Sequence, residues 1–249
     1  PGYPAPVEYS AAQINAALVS GLPLGTFDGR DAVGHGTPTA GLAAGDGSAA
    51  ADGRYAGLAP QADLIIVKLT GDGVPAHDDQ PAEPAFHGCV DEALDWLDAK
   101  LIAMGNPPCV ATINSGVQWG PLDGTSAVCR KIDQVFGGNR PGRIYVAPSG
   151  DEGMRPTHAG GSYSNAADTV IEFDKYSANF ANFSMWYTGA LPLQITVEFD
   201  DGTTVGPVLP DGWIDQSGVG IYQYSPGMQF YPWTSSGPDR AIGMGWNGH

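Results

Sequence analysis

Positive charge is scarce in this sequence: 11 Lys and Arg residues stand against 27 Asp and Glu, a formal charge of −16. The resulting pI near 4.3 sets the chain against phosphate backbones and anionic lipid surfaces, so neither nucleic acid nor membrane is an expected partner. Long apolar runs are missing as well. No stretch approaches the roughly 18 consecutive apolar residues needed to span a bilayer. The opening PGYPAPVEYS has neither an initiator Met nor a signal-peptide pattern, which predicts an excised N-terminus. Cysteine is scarce too. Cys89, Cys109 and Cys129 lack the paired pattern of a disulfide scaffold and the close spacing of a zinc site. They read as small hydrophobes, with room for one disulfide and at least one thiol left over. Low lysine with abundant aspartate suits a protein exposed to acid, to high salt, or to its own proteolysis outside the cell.

What is present is ample core material: 42 % of the 249 residues are hydrophobic, enough for one large domain or two modest ones despite many Gly and Pro. Two textures divide the chain near residue 160. In the first part, SAAQINAALVSG predicts a short peripheral helix with Ile14, Ala17 and Leu18 on one face and a Gly stop. GHGTPTAGLAAG predicts a buried helix whose small residues permit close packing on a sheet. ADLIIVKL is a continuous apolar run bounded by turn residues, the pattern of a strand covered on both faces. FHGCVDEALDWLDAKLIAMG repeats Phe86, Val90, Ala93, Leu94, Leu97 and Leu101 at helical spacing and stops at Gly105. CVATINSG, TSAVCRKIDQVFGG and RIYVAPSG then read as strand, helix, strand. Such alternation predicts an α/β fold with a parallel sheet and right-handed crossovers over residues 1–159.

From about residue 160 to 249 no helical period survives. TVIEFDK, SMWYTG, LQITVEFDDG, GIYQYSPG and AIGMGW place β-formers between Gly, Asp and Pro turns, predicting an antiparallel β-sandwich or jelly roll. The end, Trp246-Asn247-Gly248-His249, brings no closing strand, so part of this domain is expected elsewhere.

His35 is the residue with the most chemistry around it. Glycine-flanked and opening a helix, it is held by backbone geometry, the placement a general base needs to take a proton from a serine. Its block GHGTPTAGLAAG, followed in order by GRYAGLAPQADLIIVKL, resembles the histidine block and next strand of the subtilisin-like serine peptidases. The likeness runs on through CVATINSGVQWGPLDGTS to RIYVAPSGDEG and covers most of residues 34–153. It implies a partial subtilisin-like core and a secreted endopeptidase acting by acyl transfer on peptide or protein substrates. Asn114, Ser115 and Gly116 fall where the family has a Ser-Leu-Gly stretch whose main chain pairs with extended substrate and walls the specificity pocket. Asp151 falls where the family usually has the oxyanion-hole Asn. A carboxylate repels a developing oxyanion, so Asp151 serves only when protonated, as the aspartate of the related sedolisin-like peptidases does in acid.

The family's orienting aspartate and nucleophilic serine have no counterparts here. Of Glu8, Asp28 and Asp31, none ends an apolar strand, so that acid is expected before residue 1. The Gly124-Thr125-Ser126 tripeptide precedes Asp151, the wrong order for a nucleophile, and reads as a helix N-cap. Some members of the family carry a β-rich insert between the asparagine and serine blocks. Residues 160–249 match such an insert, which puts the serine beyond His249, in further sequence or on a remaining fragment of the same protein bound as a partner.

No cofactor is assigned. Calcium is the one ion that Asp72, Asp78 and Asp79 could hold, although a solvated acidic loop is the favoured reading, because hard-cation loops need oxygens converging in three dimensions. His77, His87 and His158 are scattered without partners at ligand spacing. Two rival functions remain. One is a non-catalytic pseudopeptidase, favoured by Asp151 and Asn114. The other is a carbohydrate- or protein-binding β-module, suggested by Trp186, Tyr187, Trp213, Tyr222, Tyr224, Tyr231, Trp233 and Trp246, although aromatics also build sandwich cores.

Overall fold

The computed structural model describes residues 7–21, 31, 34–69, 90–114, 120–150, 153–154, 157–164, 166–174, 180–188, 193–226, 237 and 239–247. The chain divides into two compact units, Pro1–Glu83 and Pro84–His249. Among the described residues no helix is long and apolar enough to cross a membrane.

Among its described residues the first unit holds two helices. α1 (Ala11–Ser20) begins with a reciprocal cap: Ser10 Oγ accepts from the Gln13 amide at 3.3 Å, while Gln13 Oε1 accepts from the Ser10 amide at 2.8 Å. Gly21, left-handed at φ 60°, ends it. None of its side chains is buried, in keeping with a peripheral helix. α2 (Gly36–Ala44) forms where expected, but its burial does not. Only Ala44 is buried, and Leu42 is 75 % exposed. Small residues permit close approach without saying to what. Here the neighbour is the backbone of residues 57–59, and no sheet of this unit lies among the described residues.

The strand predicted for ADLIIVKL is likewise absent. Residues 62–69 form no strand, and Leu64 and Ile66 are 55 % and 67 % exposed. A continuous apolar run encodes a demand for cover on both faces, but a strand also needs a ladder partner.

Among the described residues the second unit begins with α3 (Val90–Ala103), whose Val90, Leu94 and Leu101 are buried. The helix stops as Gly105 turns left-handed at φ 84° and the Asn106 amide bonds the Leu101 carbonyl at 2.8 Å. β1 (Cys109–Thr112), α4 (Ala127–Phe136) and β2 (Arg143–Val146) follow as a strand–helix–strand unit, with β1 and β2 parallel and Thr112 opposite Val146. α4 lies against α3 and β2, burying Val135 and Phe136, with the Phe136 ring 5.6 Å from that of Tyr145. Among the described residues the parallel sheet has these two strands.

Arg143, the first residue of β2, locks this unit together. Its guanidinium donates to Asp98 Oδ1 on α3 at 2.5 Å, to the Val135 carbonyl on α4 at 3.2 Å and to Asn106 Oδ1 at 2.9 Å. One planar fork thus satisfies three partners from three segments.

The remaining elements are antiparallel strands. β3 (Phe180–Tyr187), β8 (Arg240–Asn247), β7 (Val219–Tyr224) and β6 (Trp213–Gln216) make a four-stranded sheet in that spatial order, and β4 (Ile195–Glu198) pairs with β5 (Thr204–Val208). Both sheets contribute to one apolar cluster: Val205 and Val208 from the small sheet, with Tyr187, Val219, Ile221, Ile242 and Met244 from the large one. Strand alternation puts these positions inward. Gln223, also inward, is satisfied there because its amide donates to the Leu193 and Val208 carbonyls at 3.0 and 2.6 Å. The predicted strand TVIEFDK does not form over residues 169–174, where Val170 is 78 % exposed.

Candidate active site

His35 occupies the N-terminal boundary of α2, with φ −85° and ψ −42° and an exposed side chain. The turn that delivers it is built by Asp31. One carboxylate oxygen accepts the Gly34 amide at 2.7 Å; the other accepts the Thr37 amide at 2.8 Å and the Thr37 hydroxyl at 2.7 Å. A helix start leaves amides unpaired and positive in potential, and a carboxylate answers both needs. Gly34 at φ 89° supplies the sharp bend, and the Thr39 hydroxyl donates to the His35 carbonyl at 3.0 Å. Among the described residues no hydrogen bond joins the imidazole to a carboxylate. Asp31 therefore shapes the turn that carries the histidine.

The other end of α2 is held as firmly. The amides of Gly57, Leu58 and Ala59 bond the carbonyls of Gly45, Leu42 and Ala43 at 2.7, 3.1 and 2.9 Å. A Cβ at Gly57 would lie 2.6 Å from the Gly41 carbonyl oxygen and 2.7 Å from the Ala44 nitrogen, so only glycine fits. The small residues of GHGTPTAGLAAG and the glycine of GRYAGLAP therefore answer one another directly.

In the second unit, Asn114 is exposed two residues beyond β1, and residues 147–150 follow β2, ending on Gly150 at φ 82°. Because the strands are parallel, both segments leave the same C-terminal edge, where ligands bind in α/β sheets. Ser115, Gly116 and Asp151 lie outside the described residues, as do Asp28, His77, His87, Cys89 and the acidic loop with Asp72, Asp78 and Asp79. A depression lined by Asn106, Asn139, Arg140, Pro141 and Arg143 belongs to the opposite edge of the two strands.

The Gly-Thr-Ser tripeptide has a structural task. Asp123 Oδ1 accepts the Thr125 amide and hydroxyl at 2.9 and 2.6 Å, and these bonds hold the Asp123 carboxyl below its ordinary pKa. Ser126 Oγ caps α4 by accepting the Cys129 amide at 3.2 Å. Cys109 and Cys129 are free thiols, and burial raises the Cys109 pKa against a weaker lowering by Arg143. His158 is exposed, and among the described residues no group of three or more His, Cys, Asp or Glu is placed to hold a metal ion.

Sequence reasoning passed over Asp31 as the organiser of the histidine turn. An Asp shortly before a Gly-flanked helix start was its signal. No family model, curated protein or solved structure matches this chain.

Proposed function

We propose that this chain is the histidine-bearing part of a secreted subtilisin-like serine endopeptidase, a partial parallel-sheet core carrying an inserted jelly-roll-type sandwich. The observation that carries this reading is the doubly anchored α2. His35 sits at its mouth on a turn fixed by Asp31, and its far end is bonded to the segment whose order in the sequence gives the family resemblance. A second support is the shared C-terminal edge of β1 and β2, from which Asn114 and the approach to Asp151 both depart.

In the mechanism a serine outside residues 1–249 attacks the peptide carbonyl carbon while His35 takes its proton. The carbonyl oxygen becomes an oxyanion beside Asp151, whose carboxyl donates a hydrogen bond only when protonated. His35 then returns the proton to the departing amine, and water repeats the sequence to release the acyl group. Main-chain groups of Asn114, Ser115 and Gly116 pair with the extended substrate.

The test is labelling with a fluorophosphonate probe from about pH 3 to about pH 8, followed by peptide mapping, on natural material and on a His35→Ala variant. Labelling at a serine outside this sequence, strongest in acid and lost in the variant, is the expected result. No labelling at any pH with every chain accounted for, or labelling indifferent to His35, would overturn the proposal in favour of a non-catalytic protein.

A further inference from the structure

The outer face of the four-stranded sheet carries an aromatic surface that the core does not use. Trp213 and Tyr222 stand directly opposite each other on β6 and β7, their rings parallel to within 11° with centroids 6.2 Å apart. They are 68 % and 40 % exposed. Ile214, Val219 and Ile221, the alternating neighbours, point into the apolar cluster, so this pair faces away from it.

The register shows what surrounds the rings. Tyr222 is opposite Gly243 on β8, and Gly243 is opposite Ser184 on β3. The next row across the sheet is Asp215, Gly220, Gly245 and Asn182. Glycines therefore floor the middle strands. No atom lies within 4 Å of the place a Cβ on Gly243 would take, while the Tyr222 ring lies over Gly220, its Cε2 at 3.2 Å from the corresponding point. A shallow trough results, with flat rings on one side and the exposed polar groups of Asp215 and Asn182 along it.

We infer that this trough binds a neutral polysaccharide, one sugar ring stacking on Trp213 and Tyr222 with a hydroxyl bonded to Asp215, and the following sugars crossing β8 to reach Asn182 on β3. Pyranose rings present flat C–H faces ringed by hydroxyls, which matches parallel aromatics bordered by the Asp215 carboxylate. A ligand lying flat also needs a floor without side chains, which Gly243 provides beside the Tyr222 ring. The charge of −16 disfavours sulfated or uronic-acid polymers. The site is independent of His35 and of any peptidase activity.

The experiment is binding of the full chain to insoluble cellulose, chitin and xylan and to soluble neutral oligosaccharides, with heparin as the anionic comparison, read by depletion and by tryptophan fluorescence. Trp213→Ala and Tyr222→Ala, at exposed positions, leave the fold intact by circular dichroism. Each is expected to weaken binding about tenfold or more, with Trp213→Phe retaining part of it. Failure of the natural sequence to bind any neutral glycan, heparin binding as tightly as the neutral glycans, or affinity unchanged in both alanine variants would overturn the inference. So would finding that the same patch retains unfolded peptides in preference to glycans.

Discussion

Arg143→Met is the perturbation with the clearest expected size. The Arg143 side chain is only 4 % exposed and its guanidinium bonds Asp98, Asn106 and the Val135 carbonyl. Removing one partner of a buried ion pair costs about 3–5 kcal/mol, because the other charge stays behind without its counter-charge. Here the value falls at the low end, about 3 kcal/mol, because Asp98 keeps 23 % exposure and Arg140 stands 3.6 Å away as a weaker substitute. Native-state hydrogen exchange at the paired residues Val110 and Ile144 reads the stability of the strand–helix–strand unit itself, apart from the antiparallel sheets. Adding Asp98→Leu to Arg143→Met removes the stranded charge and recovers most of the loss. A cost below about 1 kcal/mol, or a double variant no better than the single, would refute the view that this ion pair joins α3, α4 and β2.

Gly57→Ala drives a methyl into the Gly41 carbonyl and is expected to destabilise the first unit by about 1–3 kcal/mol, seen as faster exchange of the Leu58 and Ala59 amides. Ser126→Ala removes the cap of α4 and costs about 1 kcal/mol in urea unfolding, with no effect on fluorophosphonate labelling; lost labelling would return Ser126 to the nucleophile role. Burial, aided by the neighbouring Cys129, raises the Tyr145 pKa in the folded state. That contribution to stability is complete below about pH 10, where the unfolded phenol is still protonated, and is lost as pH rises through the folded value. Tyr145→Phe should therefore flatten alkaline unfolding. Desolvation likewise raises the Cys109 pKa, so at about pH 8 this thiol should alkylate more slowly than free cysteine.

The helices were the legible part of the fold because each carries its own punctuation. Ser10 with Gln13, Gly21, Ser126 and Gly105 start or stop helices through local hydrogen bonds that residue type alone announces. CVAT and RIYV were legible as strands for a related reason, since turns and helices bracket both. ADLIIVKL and TVIEFDK misled because strand propensity is realised only through a partner, and no local pattern names one. β5 was overlooked because Pro207 interrupts it, and β6 because four residues give alternation too little length. At the candidate site, His35 and its helix start were legible from glycine spacing. The role of Asp31 was less so, since its carboxylate reaches Thr37, six residues on, and such a bond depends on the turn between them. The N-cap role of Ser126 was legible because its side chain accepts an amide at a helix start that the residue type announces.

The anchoring of α2 also governs how the histidine can move. Three amides of residues 57–59 register the carbonyls of residues 42, 43 and 45, so sliding the helix along its axis breaks all three bonds together, whereas bending any one side chain breaks none. Axial sliding of α2 is thereby opposed by all three bonds at once. While those bonds are closed, the distance from the His35 backbone to the segment 57–59 is fixed like the spacing of teeth on a rack.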